Sequence, residues 1–151
     1  MRALIDLFRG RRAALLILTI IGVAFFGPGA FAKTSKGSIG MELNKLNADG
    51  AGCQAYFVFD NQGGADYGTL KVDLVVFKPD GVIERRFAME VAPLNAKKRT
   101  VKLFELKETA CDKIGSFLIN GVLECKEGSR TRKDCIDRLV PSSRVDVELT
   151  K

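Results

Sequence analysis

Leu70-Lys71-Val72-Asp73-Leu74-Val75-Val76-Phe77 is followed by Lys78-Pro79-Asp80-Gly81-Val82 and then by Ile83-Glu84-Arg85-Arg86-Phe87-Ala88-Met89-Glu90-Val91. Leu70, Val72, Leu74 and Val76 alternate with Lys71 and Asp73, the period of two that gives a strand one apolar face. Pro79 presets φ and Gly81 supplies a positive φ, so Pro79-Asp80-Gly81 reads as a tight turn. After it, Ile83, Phe87, Met89 and Val91 share one side, with Glu84, Arg86 and Glu90 on the other. Arg85 breaks this pattern, which points to a bulge or a rim position.

The alternation continues on both sides of this hairpin. Upstream, Ile39, Met41 and Leu43 form one apolar row, and Cys53, Ala55, Phe57 and Phe59 form the next. Asn61-Gln62-Gly63-Gly64 is a turn signal. Downstream, Val101 and Leu103 mark a short strand. Residues 116–124 are apolar on both parities, as a central strand would be. Val145, Val147 and Leu149 alternate in the last strand. One short helical stretch is expected from Lys133 to Leu139, before Pro141. Seven strands with short Gly/Pro/Asn/Asp turns predict an all-β, seven-stranded immunoglobulin/fibronectin III-like β-sandwich.

The first 32 residues read as a cleavable signal peptide and stand apart from that domain, which spans 33–151. Arg2, Arg9, Arg11 and Arg12 make a positive start, Ala13 to Phe26 is uncharged and apolar, and Ala30-Phe31-Ala32 is a small-x-small cleavage site. A spanning helix needs about 20 apolar residues; this run is shorter and ends at Pro28, so no membrane span is expected after processing. The Arg11-Arg12 pair matches a twin-arginine signal in part, while the strongly apolar run suits the general secretory route, and both routes stay open. Four of the 24 Lys and Arg and one of the 18 Asp and Glu lie in this segment, so half of the formal charge of +6 belongs to it. The mild charge left on the domain is a poor basis for nucleic-acid binding, and no nucleic-acid partner is expected.

Cys53, Cys111, Cys125 and Cys135 all follow the signal. An even count in an exported chain reads as disulfides. Zinc is disfavoured because CxxC spacing is absent and the chain has no His. If residues 114–125 are one strand, Cys111 and Cys125 stand at its opposite ends, far beyond the ~7 Å that a disulfide spans between Cα atoms. Two pairings remain. In a sandwich of this type Cys53 opens the second strand and Cys111 precedes the sixth, at the same end, which favours Cys53–Cys111 with Cys125–Cys135.

Residues 55–106 resemble the FxLYD-type bacterial immunoglobulin-like domains. The resemblance rests on Phe57-Val58-Phe59-Asp60-Asn61, Leu70 through Phe77, Asp80-Gly81-Val82-Ile83 and Ala92-Pro93-Leu94. These residues specify turns and core, so the resemblance implies a fold and no activity. The whole chain is similar to a group of exported proteobacterial proteins known by a twin-arginine-type signal, which likewise implies no activity.

No set of residues reads as a catalytic or cofactor site. The lack of His excludes a Ser-His-Asp arrangement, paired cysteines leave no thiol nucleophile, and Gly63-Gly64 lies between strands without a phosphate-binding helix. No enzyme activity and no cofactor are expected. The function expected is a non-catalytic periplasmic interaction or assembly module, acting on an unknown envelope protein or on a second copy as a weak homodimer. Its candidate face is Val75, Phe77, Leu118 and Val122, an apolar row on the parity opposite to the core; the alternative is that residues 126–143 fold over this row. A rival expectation is an anion binder using Lys97, Lys98, Arg99, Arg130, Arg132 and Lys133, placed in two loops.

Overall fold

A computed structural model describes residues 37–151, all within the compact unit Lys33–Lys151. The signal expectations, including Arg11, Arg12, Ala30 and Ala32, lie outside the described residues. Among those described, no helix is long and apolar enough to cross a membrane.

The fold is an all-β sandwich. One sheet runs β5 (Lys98–Leu106), β2 (Gly52–Asn61), β1 (Ile39–Asp49), β8 (Leu139–Ser143). The other runs β4 (Ile83–Glu90), β3 (Tyr67–Phe77), β6 (Ser116–Glu127), β7 (Arg130–Thr131), with β9 (Glu148–Thr150) also on β6. The expected helix is the single turn α1 (Cys135–Arg138).

The inward rows are those that alternation marks. Met41, Leu43, Phe57, Phe59, Leu70, Val72, Leu74, Val76 and Met89 are fully buried between the sheets. Phe57 meets Phe117 of the facing sheet edge-on at 5.7 Å, and Phe104 of its own sheet at 6.0 Å. Such pairs add about 0.5–1.5 kcal/mol beyond their buried area. The β3–β4 hairpin closes as expected: Gly81 has φ 83°, Val82 N–H donates to Asp80 Oδ1 at 3.0 Å, and Lys78 N–H donates to the Val82 carbonyl at 2.8 Å. A register shift follows Val76, bringing Arg85 opposite Val76 and Ile83 opposite Phe77. Arg85 stays on the inward parity, half-buried at the end of the core row, and the bulge beyond it turns Ile83 out of the core to 59% exposure.

The strand count is nine, two more than expected. One of the additions is the two-residue β7. The other is β8, in a stretch that alternation does not mark as a strand, while of the strand expected over Val145–Leu149 only Glu148 and Leu149 lie in one, β9. β8 pairs parallel to β1, from Ile39↔Leu139 to Leu43↔Ser143. The chain then turns at Ser143, whose Oγ donates to the Val147 carbonyl at 2.6 Å and accepts from Val145 N–H at 3.3 Å, and β9 pairs parallel to the start of β6. Gly115 leads into β6 under the β3–β4 turn, where a Cβ would stand 2.5 Å from the Lys78 carbonyl oxygen.

Both expected disulfides are present. Cys53–Cys111 joins the start of β2 to a short 3₁₀ turn before β6, and Cys125–Cys135 ties the end of β6 to α1. In the chain-entropy account the first stabilises by about 4 kcal/mol and the second by about 2.5.

Candidate functional site

The outer face of the β4–β3–β6 sheet carries the expected apolar row in altered form. Val75 lies opposite Leu118 on β6 and Arg86 on β4, and Phe77 lies opposite Ile83. Val75 is nearly covered, Phe77 and Leu118 are half-buried, and Ile83 and Val82 are exposed. The face is therefore an apolar strip running from Val75 to the hairpin tip.

Val122 does not belong to it. β6 carries two more residues than β3 over the same span, with register shifts between Lys71 and Val72 and between Asp73 and Leu74. Ile119 pairs with Leu74 and Val122 with Val72, so Val122 packs against the core. Alternation counted straight through this stretch puts Val122 on the wrong side.

The two unpaired residues are Asn120 and Leu123. A bulge re-aims side chains, and here it delivers Asn120 to a group that alternation treats as an ordinary outward acid. Asn120 Nδ2 donates to Asp73 Oδ2 at 2.6 Å, while Arg86 Nε and Nη2 grip the same carboxylate at 2.8 and 2.6 Å. These side chains cover Asp73, leaving it 4% exposed on the outside of the sheet. Two-pronged guanidinium–carboxylate pairing is strong and directional. The Arg86 bonds, and then the Asn120 bond, hold the Asp73 carboxyl below its ordinary pKa against the opposing effect of burial. The clamp ties β3, β4 and β6 together beside the apolar strip.

Residues 126–143 leave the strip uncovered. Leu139 is buried in the core, Ile136 packs against it, and 139–143 pair with β1 in the other sheet. β7 meets β6 only at Lys126 and Glu127.

The basic residues are not all in loops. Lys98 and Arg99 begin β5, opposite Asn61 and Asp60, and Arg130 begins β7. Asp66 brings the two clusters to one end of the sandwich: its Oδ1 accepts from Ala96 N–H at 2.6 Å and its carbonyl from Gly128 N–H at 3.0 Å. Arg132 is internally engaged, paired with Glu127 at 2.9 Å and with Asp134 at 2.6 Å, which holds the Asp134 carboxyl well below the usual range. Arg138 donates to Asp134 and to the Tyr67 hydroxyl, both at 3.2 Å. These two arginines brace the loop closed by Cys125–Cys135, while Lys97, Lys98, Arg99, Arg130 and Lys133 remain exposed.

No family model matches the chain. No curated protein matches it either. Among solved structures, the chain is similar to IrmA from Escherichia coli, with 16% identity and a TM-score of 0.53 over 69% of this chain and 90% of that one. At that identity the likeness concerns the fold alone.

Proposed function

We propose that this chain is an exported, non-catalytic periplasmic module that binds another protein through the strip of Val75, Phe77, Ile83 and Leu118. The observation that carries this reading is the strip itself: apolar, exposed at Ile83, half-exposed at Phe77 and Leu118, and bordered at the covered Val75 by the Asp73–Arg86–Asn120 clamp. Apolar patches with a polar rim mark contact surfaces more often than chance allows. The clamp supports the same reading, because it fixes the three strands that present the strip. Two disulfides support an oxidising compartment.

The test is photo-crosslinking in the native cell, with the crosslinking residue at Phe77 or Ile83 and a control at the exposed Asn44 of β1. A discrete adduct from the first two positions and not from the control is expected. Equal adduct patterns at all three would sink the reading. Phe77→Ser is expected to remove the adduct obtained from Ile83 while both disulfides still form.

One observation favours a second reading, an anion-binding end. The two basic clusters converge at Asp66 and leave five exposed cations. Binding to vesicles of anionic lipid should then fall steeply with salt. Binding that ignores salt, or Lys133→Glu and Lys97→Glu variants that bind as well as the parent, would rule this reading out.

A further inference from the structure

The other sheet ends in β5, and among the described residues no strand pairs with its free side. It is nine residues long, and its outward row is Arg99, Val101, Leu103 and Glu105, all exposed, with Val101 62% and Leu103 44% accessible. Long edge strands with exposed apolar side chains are templates for another strand unless something blocks them. Behind the row, β2 places Val58 opposite Val101 and Tyr56 opposite Leu103, so the apolar surface is two strands wide.

The occupant is written in the order of the four outward residues. Antiparallel strands related by a twofold axis pair each residue with one of the same parity, so each register is centred on a single residue. Centred on Lys102, all nine residues find partners: Arg99 faces Glu105 of the second copy, Val101 faces Leu103, and the same contacts repeat across the axis. Centred one residue either way, Arg99 faces Leu103 or Glu105 faces Val101; the Arg99–Glu105 pairs are lost, and only one apolar pair, Val101 on Val101 or Leu103 on Leu103, remains at the axis. We infer that β5 is a self-pairing edge, and that the protein forms a dimer through antiparallel β5–β5 addition centred on Lys102.

The joined sheets would run eight strands across, with an apolar band of Val58, Val101, Leu103 and Tyr56 crossing the seam. One feature opposes the pairing. Lys102 faces its own copy at the axis, and like charges directly opposite are unfavourable. Its Nζ donates to the Ala92 carbonyl of its own chain at 3.2 Å, which engages part of that charge. The dimer expected is therefore a reversible one. It uses a different sheet from the Val75–Phe77 strip, so neither idea depends on the other.

Sedimentation velocity of the purified, disulfide-intact protein over a concentration series tests this. The parent is expected to show a reversible monomer–dimer equilibrium. Arg99→Glu or Glu105→Arg alone puts like charges opposite one another twice per dimer, and each is expected to weaken association by roughly tenfold. The decisive arm mixes the two single variants in equal amounts. In that mixture opposite charges face each other at both sites, and heterodimers should restore association to near the parent level. The double variant Arg99→Glu/Glu105→Arg should self-associate likewise. A parent that remains monomeric throughout overturns the inference, as does a mixture that associates no better than the single variants. A dimer unmoved by these charges and by Leu103→Lys would overturn it as well. All three substituted positions are exposed, and far-ultraviolet circular dichroism with a thiol count confirms that each variant is folded.

Discussion

Asn61 and Asp73 are both almost completely buried polar residues, and they are buried for opposite reasons. Asn61 is fully enclosed at the end of β2, where its amide serves the backbone. Nδ2 donates to the carbonyls of Ala65, Asn95 and Leu94 at 2.9, 3.1 and 3.3 Å, and Oδ1 accepts from Gly63 N–H at 3.1 Å. It ties the loops after β2 and β4 to the same point. Asp73 lies on the outside of a sheet and serves side chains, which wrap over it. A neutral amide can satisfy loop backbones inside a protein without a buried charge. A carboxylate with an exposed arginine partner remains in electrostatic contact with solvent, and its strength follows pH and salt. The Asn61 knot is thus a fixed structural joint, whereas the Asp73 clamp responds to conditions.

Breaking the joint should have the largest effect. Asn61→Ala leaves several loop carbonyls and one N–H without their partner, and an expected loss of about 2–4 kcal/mol follows from orphaned buried polar groups. Urea unfolding followed by circular dichroism measures it. Asn61→Asp should also be destabilising, since it replaces the donating Nδ2 by an acceptor facing carbonyl oxygens. If either variant matches the parent, water already serves those carbonyls and the contrast with Asp73 disappears.

The next largest change is at the same end of the sandwich. Replacing Cys125 and Cys135 together by Ser should lower stability by about 2.5 kcal/mol by lengthening the unfolded chain's freedom. The loop it closes retains the Arg132–Asp134 and Arg138–Asp134 contacts. Hydrogen exchange should therefore rise chiefly between Cys125 and Cys135 and leave the Asn61 joint protected.

Much of this joint was readable from the chain. The Asn61-Gln62-Gly63-Gly64 turn, the inward rows, the Pro79-Asp80-Gly81 hairpin and the disulfide partners all follow from local chemistry or from the parity of an unbroken strand. The Asp73 clamp did not, because parity reports a face only while two strands advance in step. β6 gains two residues on β3, and the sequence Asn120-Gly121-Val122-Leu123 does not fix where or how many; the bulges exist in the pairing and not in either strand alone. Gly121 is the one local hint, since an isolated Gly within a strand often marks a bulge. The C-terminal strands escaped for a related reason: Leu139–Ser143 carries no alternating row to mark β8, and the row from Val145 to Leu149 runs through a bend before β9 begins at Glu148.

Val122 sharpens this point in the laboratory. As a core residue it should lose roughly 1 kcal/mol or more on truncation to Ala, in line with the removal of partly buried methyl groups. Leu118→Ala, on the outer strip, should change stability less and crosslinking more. The reverse ordering in a urea series would return Val122 to the outer face and remove the bulge from the account.

The smallest and most conditional effect belongs to Asp73. Its carboxyl is held ionised by the Arg86 fork first and by Asn120 second, so its pKa in the folded protein lies below that of the unfolded chain, which is near about 3.9. As pH falls, the unfolded state takes up this proton first. The clamp's contribution is thus fully present above that value and is lost progressively as pH drops through the folded pKa. Asp73→Asn removes the titration while keeping an oxygen for Arg86, and its urea midpoint should decline less than the parent's between about pH 4 and pH 2. Asp134 and Glu42, also held low by arginines and polar neighbours, still titrate in that variant, so some acid sensitivity remains. Arg86→Ala acts differently: it leaves Asp73 with Asn120 alone, raises its pKa, and should lower stability at neutral pH while narrowing the gap to the parent in acid. Asn61→Ala, with no ionisable group at its centre, should instead keep the same deficit at every pH. Parallel curves for Asp73→Asn and the parent would show that the carboxylate's grip contributes nothing to folding, and that the face beside the strip is held by packing.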